Sequence, residues 1–264
     1  MPLPLPRTLT ALAGLAAAAL VGCALWRPAT VPLRTIAAPA HCATSPDTLL
    51  VLLPGSYSLP EEFLSEGFVQ MVRERRLAAD VLLVDAHVGY YNNRSIVERL
   101  RIDVLEPARA RGYRQVWLAG ISIGAVGAMI YADARPDDVD GIVILAPYLG
   151  TRLAAQEIKT SGGLAAWRAP AVSADADLDA TLWRWLQAQT GSGTNAATKR
   201  VPLFLGYGRD DRFAFNDDVL AQAMPRSHVF TADGGHDWPA WKPLWRDVVN
   251  VIPIPSDRSC AVQP

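Results

Sequence analysis

Short apolar runs alternate with longer amphipathic segments along most of this chain. Six apolar runs have the length and composition of buried strands: Thr48–Leu53, Ala79–Ala86, Val116–Ala119, Gly141–Ala146, Val201–Leu205 and Ser227–Thr231. Predicted helices lie between them, among them Leu59–Arg76, Ser95–Arg111 and Leu178–Gln189. Strands that alternate with helices favour right-handed crossovers, so the pattern predicts a three-layer α/β fold with a mostly parallel sheet of about six strands.

The N-terminus has a different pattern, because its apolar residues form one uninterrupted run. Arg7 precedes the uncharged segment Leu9–Val21, which is too short to span a bilayer comfortably and is typical of a signal peptide. The run ends in Leu20-Val21-Gly22-Cys23, which resembles the lipobox of bacterial lipoproteins. The alternatives are an ordinary signal peptide cleaved nearby and a short uncleaved anchor.

The lipobox resemblance implies a signal peptide over residues 1–22 and a lipid on Cys23, which becomes the mature N-terminus. It also implies export to the bacterial cell envelope. Ala24, rather than Asp, follows the cysteine, which in a Gram-negative host suits the outer membrane, facing the periplasm.

The remaining chain divides into a predicted tether and one predicted domain. Residues 23–46 contain several prolines and no apolar periodicity, so we interpret them as a membrane tether. Residues 47–264 form the predicted domain, and residues 147–200 are a less regular, lid-like insertion after the fourth strand.

Charge and cysteine content exclude some classes of partner. The net charge is −1 without a long charge run, which does not favour nucleic acid. Neither the three cysteines nor the four histidines have metal-site spacing, so no metal is expected. If Cys23 is lipidated, an exported chain keeps two thiols, which predicts a Cys42–Cys260 disulfide; two free thiols are the alternative. The oligomeric state is not determined.

Candidate chemistry centres on Gly120-Ile121-Ser122-Ile123-Gly124, a G-x-S-x-G sequence between a predicted strand and a predicted helix. A sharp turn there exposes the serine hydroxyl, and the glycines are needed because a Cβ would clash with the neighbouring strand and helix. The N–H of Ile123 lies at the helix N-terminus, where developing negative charge is favoured.

A serine hydroxyl needs a base, and the base needs an orienting acid. Asp211 and His236, like Ser122, follow directly after predicted strands. The carboxyl ends of parallel strands share one edge of a sheet, so these three residues are predicted to meet there.

Together these features resemble the α/β-hydrolase family, over about Thr48 to Ile252. The matching motifs are the G-x-S-x-G turn, Gly208-Arg209-Asp210-Asp211-Arg212-Phe213 and Gly234-Gly235-His236. The resemblance implies Ser122 as nucleophile, His236 as base and Asp211, in preference to Asp210, as acid. Small bacterial esterases of this fold also resemble the chain in the run from Gly235 to Trp238.

An oxyanion hole needs a second donor besides Ile123. Where the family commonly has His-Gly after the first core strand, this chain has Pro54-Gly55. The N–H of Ser56 or Tyr57 is the predicted donor, and a purely structural turn at Gly55 is the alternative.

Substrate contacts are the least constrained part of the prediction. Four aromatic residues near the expected edge or in the insertion are candidates for the substrate pocket: His87, Tyr90, Tyr148 and Trp183. A structural role is the alternative for His87. Helical spacing of Trp238, Trp241 and Trp245 predicts a core-facing stripe.

We therefore expect a serine esterase that acts on a small acyl substrate through an acyl-enzyme and needs no cofactor. Two alternatives remain open. One is an acyltransferase or thioesterase with the same triad, and the other is a catalytically inactive, envelope-associated binding module.

Overall fold

The computed structural model describes residues 27–40, 46–169, 178–191 and 199–257. Cys23, Cys42, Cys260 and the predicted signal peptide lie outside these ranges. The lipid anchor and the disulfide therefore stay predictions.

A seven-stranded sheet forms the centre of the described chain. Its strands are β1 (Thr35–Ala38), β2 (Thr48–Leu53), β3 (Ala79–Val84), β4 (Gln115–Ile121), β5 (Gly141–Leu145), β6 (Leu203–Gly208) and β7 (Val229–Ala232). Their spatial order is β1-β3-β2-β4-β5-β6-β7. All neighbours are parallel except β1, which pairs antiparallel with β3. The predicted α/β fold with a mostly parallel sheet is confirmed, with one strand more than expected.

Helices cover both faces of the sheet. They are α1 (Glu62–Ser65), α2 (Phe68–Glu74), α3 (Val88–Asn92), α4 (Ile96–Leu100), α5 (Glu106–Ala110), α6 (Ile123–Ala134), α7 (Arg152–Thr160), α8 (Leu178–Gln189), α9 (Ala214–Ala221) and α10 (Trp238–Val251). Two apolar clusters result, one on each face of the sheet. None of these helices is both long and apolar enough to cross a bilayer.

The extra strand lies in the segment predicted to be a tether. Thr35 pairs with Val84 and Ala38 with Val81, and Leu33 is buried. A four-residue edge strand preceded by prolines has no periodicity long enough to recognise in the sequence. The folded part therefore begins before residue 47, and the prediction that all of residues 23–46 form a tether was wrong for residues 27–40.

Two long predicted helices are interrupted. Gly67 adopts a left-handed conformation, φ 81°, and separates α1 from α2. The helix predicted over Ser95–Arg111 contains a π-helical turn at Arg101–Leu105, which lies between α4 and α5. Local backbone geometry of this kind is not encoded in apolar spacing.

Residues 147–200 contain α7 and α8, which pack over the core rather than form a separate body. Trp183, Trp185 and Leu186 of α8 are buried in the cluster that also holds residues of α6. Trp241 and Trp245 of α10 are buried on the other face, which confirms the predicted stripe.

Candidate active site

Ser122 occupies the turn between β4 and α6. Its backbone has φ 55° and ψ −115°, a conformation that a non-glycine residue rarely adopts. Such a backbone costs on the order of 1–3 kcal/mol and persists only where the surroundings fix it. Here the N–H of Ser122 donates to the carbonyl of Leu145 at the end of β5. The side chain stands at the N-terminus of a twelve-residue helix.

The flanking glycines allow this turn to form. A Cβ on Gly124 would lie 2.2 Å from the carbonyl oxygen of Leu53, and a Cβ on Gly120 would lie 2.2 Å from the carbonyl carbon of Gly124. Both contacts are with backbone atoms, which cannot rotate away. The geometry agrees with the steric reason for which the two glycines were singled out in the sequence.

Asp211 and His236 contact each other through an acid–imidazole hydrogen bond. Oδ2 of Asp211 lies 2.7 Å from Nδ1 of His236. Asp211 also accepts from the N–H of Phe213 through Oδ1, at 2.8 Å. The carboxylate is buried and fixed at both oxygens, whereas Asp210 is exposed to solvent. The structure therefore favours Asp211 over Asp210 as the partner of this histidine.

The loops that carry this pair fit closely against each other. A Cβ on Gly208 would lie 2.3 Å from the carbonyl oxygen of Gly234. The N–H of Asp210 donates to the same oxygen at 3.0 Å. Backbone contact between the loops after β6 and β7 thus sets the distance between acid and imidazole.

Aromatic rings fix the plane of the imidazole. Phe213 and Trp241 meet the His236 ring edge to face, at centroid distances of 5.1 and 5.3 Å. Phe213 also contacts Tyr148 at 5.4 Å, and the N–H of Tyr148 donates to the carbonyl of Ser122. A continuous chain of contacts therefore joins His236 to the turn that carries Ser122.

The turn after β2 lies beside the serine. A Cβ on Gly55 would approach the Cβ of Ser122 to 3.7 Å. A hydrogen bond from Ser58 to the carbonyl of Gly55 closes the turn. Within the described chain, the N–H groups of Ser56 and Tyr57 donate to no protein acceptor, so neither is committed to a hydrogen bond inside the protein. Ser56 and Tyr57 are both retained as candidates for the second donor, and Ile123 lies in the first turn of α6, as predicted.

Three of the four predicted pocket residues are buried in packing instead. Tyr90 is buried with its hydroxyl donating to the carbonyl of Thr30, and Trp183 is buried with Nε1 donating to the carbonyl of Leu149. These contacts contradict a pocket role for both residues, because their polar atoms are already paired inside the core.

His87 also has a structural position. Its Nδ1 accepts from the N–H of Gly89 and caps α3, and its ring packs on Tyr90 at 4.7 Å. Burial, reinforced by the charge of Arg27, lowers the pKa of His87, while Asp85 acts in the opposite direction. The structural alternative for His87 is therefore the one that its contacts support. Tyr148 alone of the four stands next to the serine turn.

Asp217 on α9 was not singled out in the sequence. It is fully buried, and neither carboxylate oxygen has a hydrogen-bond partner among the described residues. Burial raises the pKa of Asp217 well above its ordinary value, and the charges of Asp211 and Asp218 act in the same direction. A buried carboxyl group with a raised pKa therefore lies near the acid of the site. In the sequence, Asp217 is visible only as one of two adjacent aspartates in a helical segment. Such a pair is typical of a helix face exposed to solvent, so the sequence did not point to a buried carboxyl group.

The described residues contain no candidate metal site. In residues 27–40, 46–169, 178–191 and 199–257, no group of three or more His, Cys, Asp or Glu side chains has the geometry to hold a metal ion.

Comparison with solved structures supports the fold. The chain is similar to S-formylglutathione hydrolase FrmB from Staphylococcus aureus, with 15% identity, a TM-score of 0.51, and 85% of this chain and 97% of the other covered. Est1E from Butyrivibrio proteoclasticus, solved with ferulic acid bound, has 16% identity and a TM-score of 0.52 over 83% and 92% of the two chains. A predicted CIB-like hydrolase from Thermoplasma acidophilum has 14% identity and a TM-score of 0.50 over 83% and 98%. At such identities the likeness concerns the fold alone.

Family membership rests on the sequence. No curated protein matches the chain. The model of the Esterase family, described as "Putative esterase", matches residues 101–248, which is more than half of the chain and includes Ser122, Asp211 and His236. The chain therefore belongs to this esterase family and has the α/β-hydrolase fold.

Proposed function

We propose that the protein hydrolyses carboxylic esters with Ser122 as nucleophile, His236 as general base and Asp211 as the acid that orients the imidazole. The observation that carries this proposal is the 2.7 Å contact between Asp211 and His236. This pair lies at the same sheet edge as the strained turn of Ser122, because β4, β6 and β7 are parallel.

The roles follow from protonation states. An ionised carboxylate only accepts hydrogen bonds, so its contact with Nδ1 requires the ring proton there and leaves Nε2 as an acceptor. Nε2 takes the proton of Ser122 as Oγ attacks the ester carbonyl, and the imidazolium returns it to the leaving alcohol. Water then attacks the acyl-enzyme with the same base, which releases the carboxylic acid and restores Ser122.

Negative charge that develops on the carbonyl oxygen needs preorganised donors. The N–H of Ile123, at the start of α6, and the N–H of Ser56 or Tyr57 supply them in this proposal. The 3.7 Å approach of a Gly55 Cβ to Ser122 supports it, since the turn after β2 then lies within reach of the same oxygen.

A fluorophosphonate probe tests the nucleophile directly. We expect covalent labelling of the wild-type protein and none of Ser122→Ala, with Ser56→Ala as a matched control that keeps its backbone N–H and its labelling. A folded wild-type protein that neither reacts with the probe nor hydrolyses a short-chain aryl ester would instead indicate an inactive binding module.

We also propose that Cys23 is lipidated, so that the enzyme is anchored in the bacterial cell envelope. The Leu-Val-Gly-Cys sequence directly after an apolar run supports this. Metabolic labelling with a fatty-acid analogue should mark the wild-type chain and leave Cys23→Ser unmarked. Labelling that persists in Cys23→Ser contradicts the anchor.

A further inference from the structure

Residues 27–34 pack at the edge of the sheet that carries Ser122, where β3 ends. We infer that the anchored protein holds this edge against the membrane and hydrolyses esters of amphiphiles that reside in the bilayer. The inference rests on the proposed esterase activity and on the proposed anchor at Cys23.

Residues 27–34, here called the N-terminal strap, are held by specific contacts. Arg27 forms a 2.5 Å ion pair with the buried carboxylate of Asp85. A Cβ on Gly89 would lie 2.2 Å from the carbonyl oxygen of Arg27. The strap can pack this closely because residue 89 is a glycine and has no Cβ. The hydroxyl of Tyr90 donates to the carbonyl of Thr30 at 2.9 Å.

Further along, the strap joins the sheet. The N–H of Leu33 donates to Asp103 at 2.8 Å, and the N–H of Asp85 donates to the carbonyl of Arg34 at 2.9 Å. Leu33 is buried in the core. Because the contacts extend from Arg27 to β1, the chain is already held to the domain at Arg27 rather than first at residue 47.

The strap lies at the catalytic edge. Asp85 directly follows β3, and β1 is antiparallel to β3, so the residues before Thr35 lie where β3 ends. Only β2 separates β3 from β4, which leads to Ser122. Two strand spacings correspond to about 10 Å, so the point where the strap begins is near the nucleophile.

Chain length then determines orientation. Three residues lie between Cys23 and Arg27, and the four steps from one to the other span at most about 14 Å when fully extended. A domain of this size is about 45 Å across, so the opposite edge of the sheet cannot reach the bilayer. A flexible tether of residues 23–46, as expected from the sequence, would have allowed a root-mean-square reach of about 27 Å and no fixed orientation.

Exposed apolar side chains support the same orientation. The three most exposed large apolar residues in the described chain are Val31, Tyr57 and Leu153, at 72, 79 and 80%. Val31 belongs to the strap, Tyr57 follows β2, and Leu153 lies in the first turn of α7, which follows β5, so all three lie on segments at the catalytic edge. Isolated apolar side chains are common on surfaces, but these three all lie on segments at one edge, which supports contact between this edge and the bilayer. Tyrosine also suits the membrane interface.

These features favour a bilayer-resident ester as substrate. When the acyl chain of a lipid is in the bilayer, its ester group lies at the headgroup level. A catalytic edge that the anchor holds against the membrane can reach this ester group without extracting the lipid. Each turnover consumes one water and one ester bond, releasing a carboxylate and an alcohol, as in the proposed mechanism.

The test compares full-length lipidated protein, reconstituted in phosphatidylcholine vesicles, with a variant carrying about 30 Gly/Ser residues between Trp26 and Arg27. The inserted linker has a root-mean-square length of about 30 Å, so the domain is no longer held in one orientation relative to the membrane. One substrate is a fluorogenic palmitoyl ester carried in the vesicles, and the other is a water-soluble aryl acetate. We expect the insertion to lower hydrolysis of the palmitoyl ester at least about five-fold and to change hydrolysis of the acetate less than about two-fold.

Side-chain variants provide a second measurement. The double variant Val31→Ser/Leu153→Ser should hydrolyse the vesicle-borne ester at least about three-fold more slowly. Val251→Ser is the matched control, because Val251 is half exposed at the end of α10, at the opposite edge. Both variants should hydrolyse the acetate at the wild-type rate.

The outcomes separate this inference from the proposals on which it rests. Equal rates on the vesicle-borne ester with and without the insertion overturn the orientation, while acetate hydrolysis upholds the esterase. Loss of both activities in the folded wild-type protein overturns the proposed function as well. A full-length chain that does not float with vesicles overturns the anchor.

Discussion

The carboxylate of Asp211 binds His236 with one oxygen and the backbone of its own loop with the other. Oδ2 lies 2.7 Å from Nδ1 of the imidazole, and Oδ1 accepts from the N–H of Phe213 at 2.8 Å. The second bond prevents the carboxylate from rotating away from the ring. The position of the base therefore depends on a short loop after β6 as much as on the histidine itself.

Asp211→Asn is expected to lower kcat/KM for a short-chain ester by about 10³–10⁴-fold. The amide can donate to Nδ1 and stabilise the wrong tautomer, while the fold stays intact. Asp210→Asn is the matched control, since Asp210 is exposed, and it should retain at least half of the activity. Steady-state kinetics of both variants measure this difference, and equal losses in the two would reject the assignment of Asp211.

Gly124→Ala should destabilise the fold although alanine is the better helix former. The new Cβ meets the carbonyl oxygen of Leu53 at 2.2 Å, and the shift needed costs about 2–3 kcal/mol. In a domain of this size that lowers Tm by about 5–10 °C.

Gly55→Ala is the control for this substitution, because its Cβ contacts lie at 3.7–3.9 Å. Its effect on the free energy of unfolding should stay below about 1 kcal/mol. Thermal unfolding followed by circular dichroism compares the two variants. A Gly124→Ala protein as stable as Gly55→Ala would mean that the turn relaxes.

Asp217→Asn should become progressively more stable than wild type as pH rises above about 4. The pKa of Asp217 is raised in the folded state, so the unfolded chain loses this proton first and the wild-type free energy of unfolding falls with rising pH. Because asparagine cannot ionise, the free energy of unfolding of the variant does not fall with rising pH in this way. Tm values at pH 4, 5.5 and 7 give the trend, with Asp210→Asn as the exposed control. A difference from wild type that is constant over this range would show that Asp217 ionises normally.

Gly89→Ala should release the N-terminal strap. Its Cβ would lie 2.2 Å from the carbonyl oxygen of Arg27 and 2.8 Å from the His87 ring, so the strap is the part that can move. Hydrogen exchange should then accelerate at least about ten-fold in a peptide covering residues 28–38. Gly55→Ala, on another loop of the same edge, should leave this peptide protected, and protection that survives in Gly89→Ala would contradict the role given to Gly89.

Much of the site could be predicted because its signals are local or follow from strand order. The steric need for Gly120 and Gly124 around Ser122 acts within a single turn. Asp211 and His236 each follow an apolar run, and parallel strands bring such positions to one edge. The substrate pocket was predicted poorly. Tyr90 and Trp183 are aromatic residues in segments expected near the pocket, but both are buried in the core. The spacing of residues in the sequence does not reveal such packing.

The sequence by itself determined the parallel sheet, the edge at which chemistry is expected and the order of the three candidate residues, since apolar periodicity and strand direction are properties of the chain. Only the tertiary structure decided that Tyr90 and Trp183 belong to the core, that Asp217 is buried beside the site, and that residues 27–40 pack on the domain. Each of these depends on contacts between segments far apart in the chain, such as Arg27 with Asp85. Such contacts form only when the whole sheet and its loops have assembled.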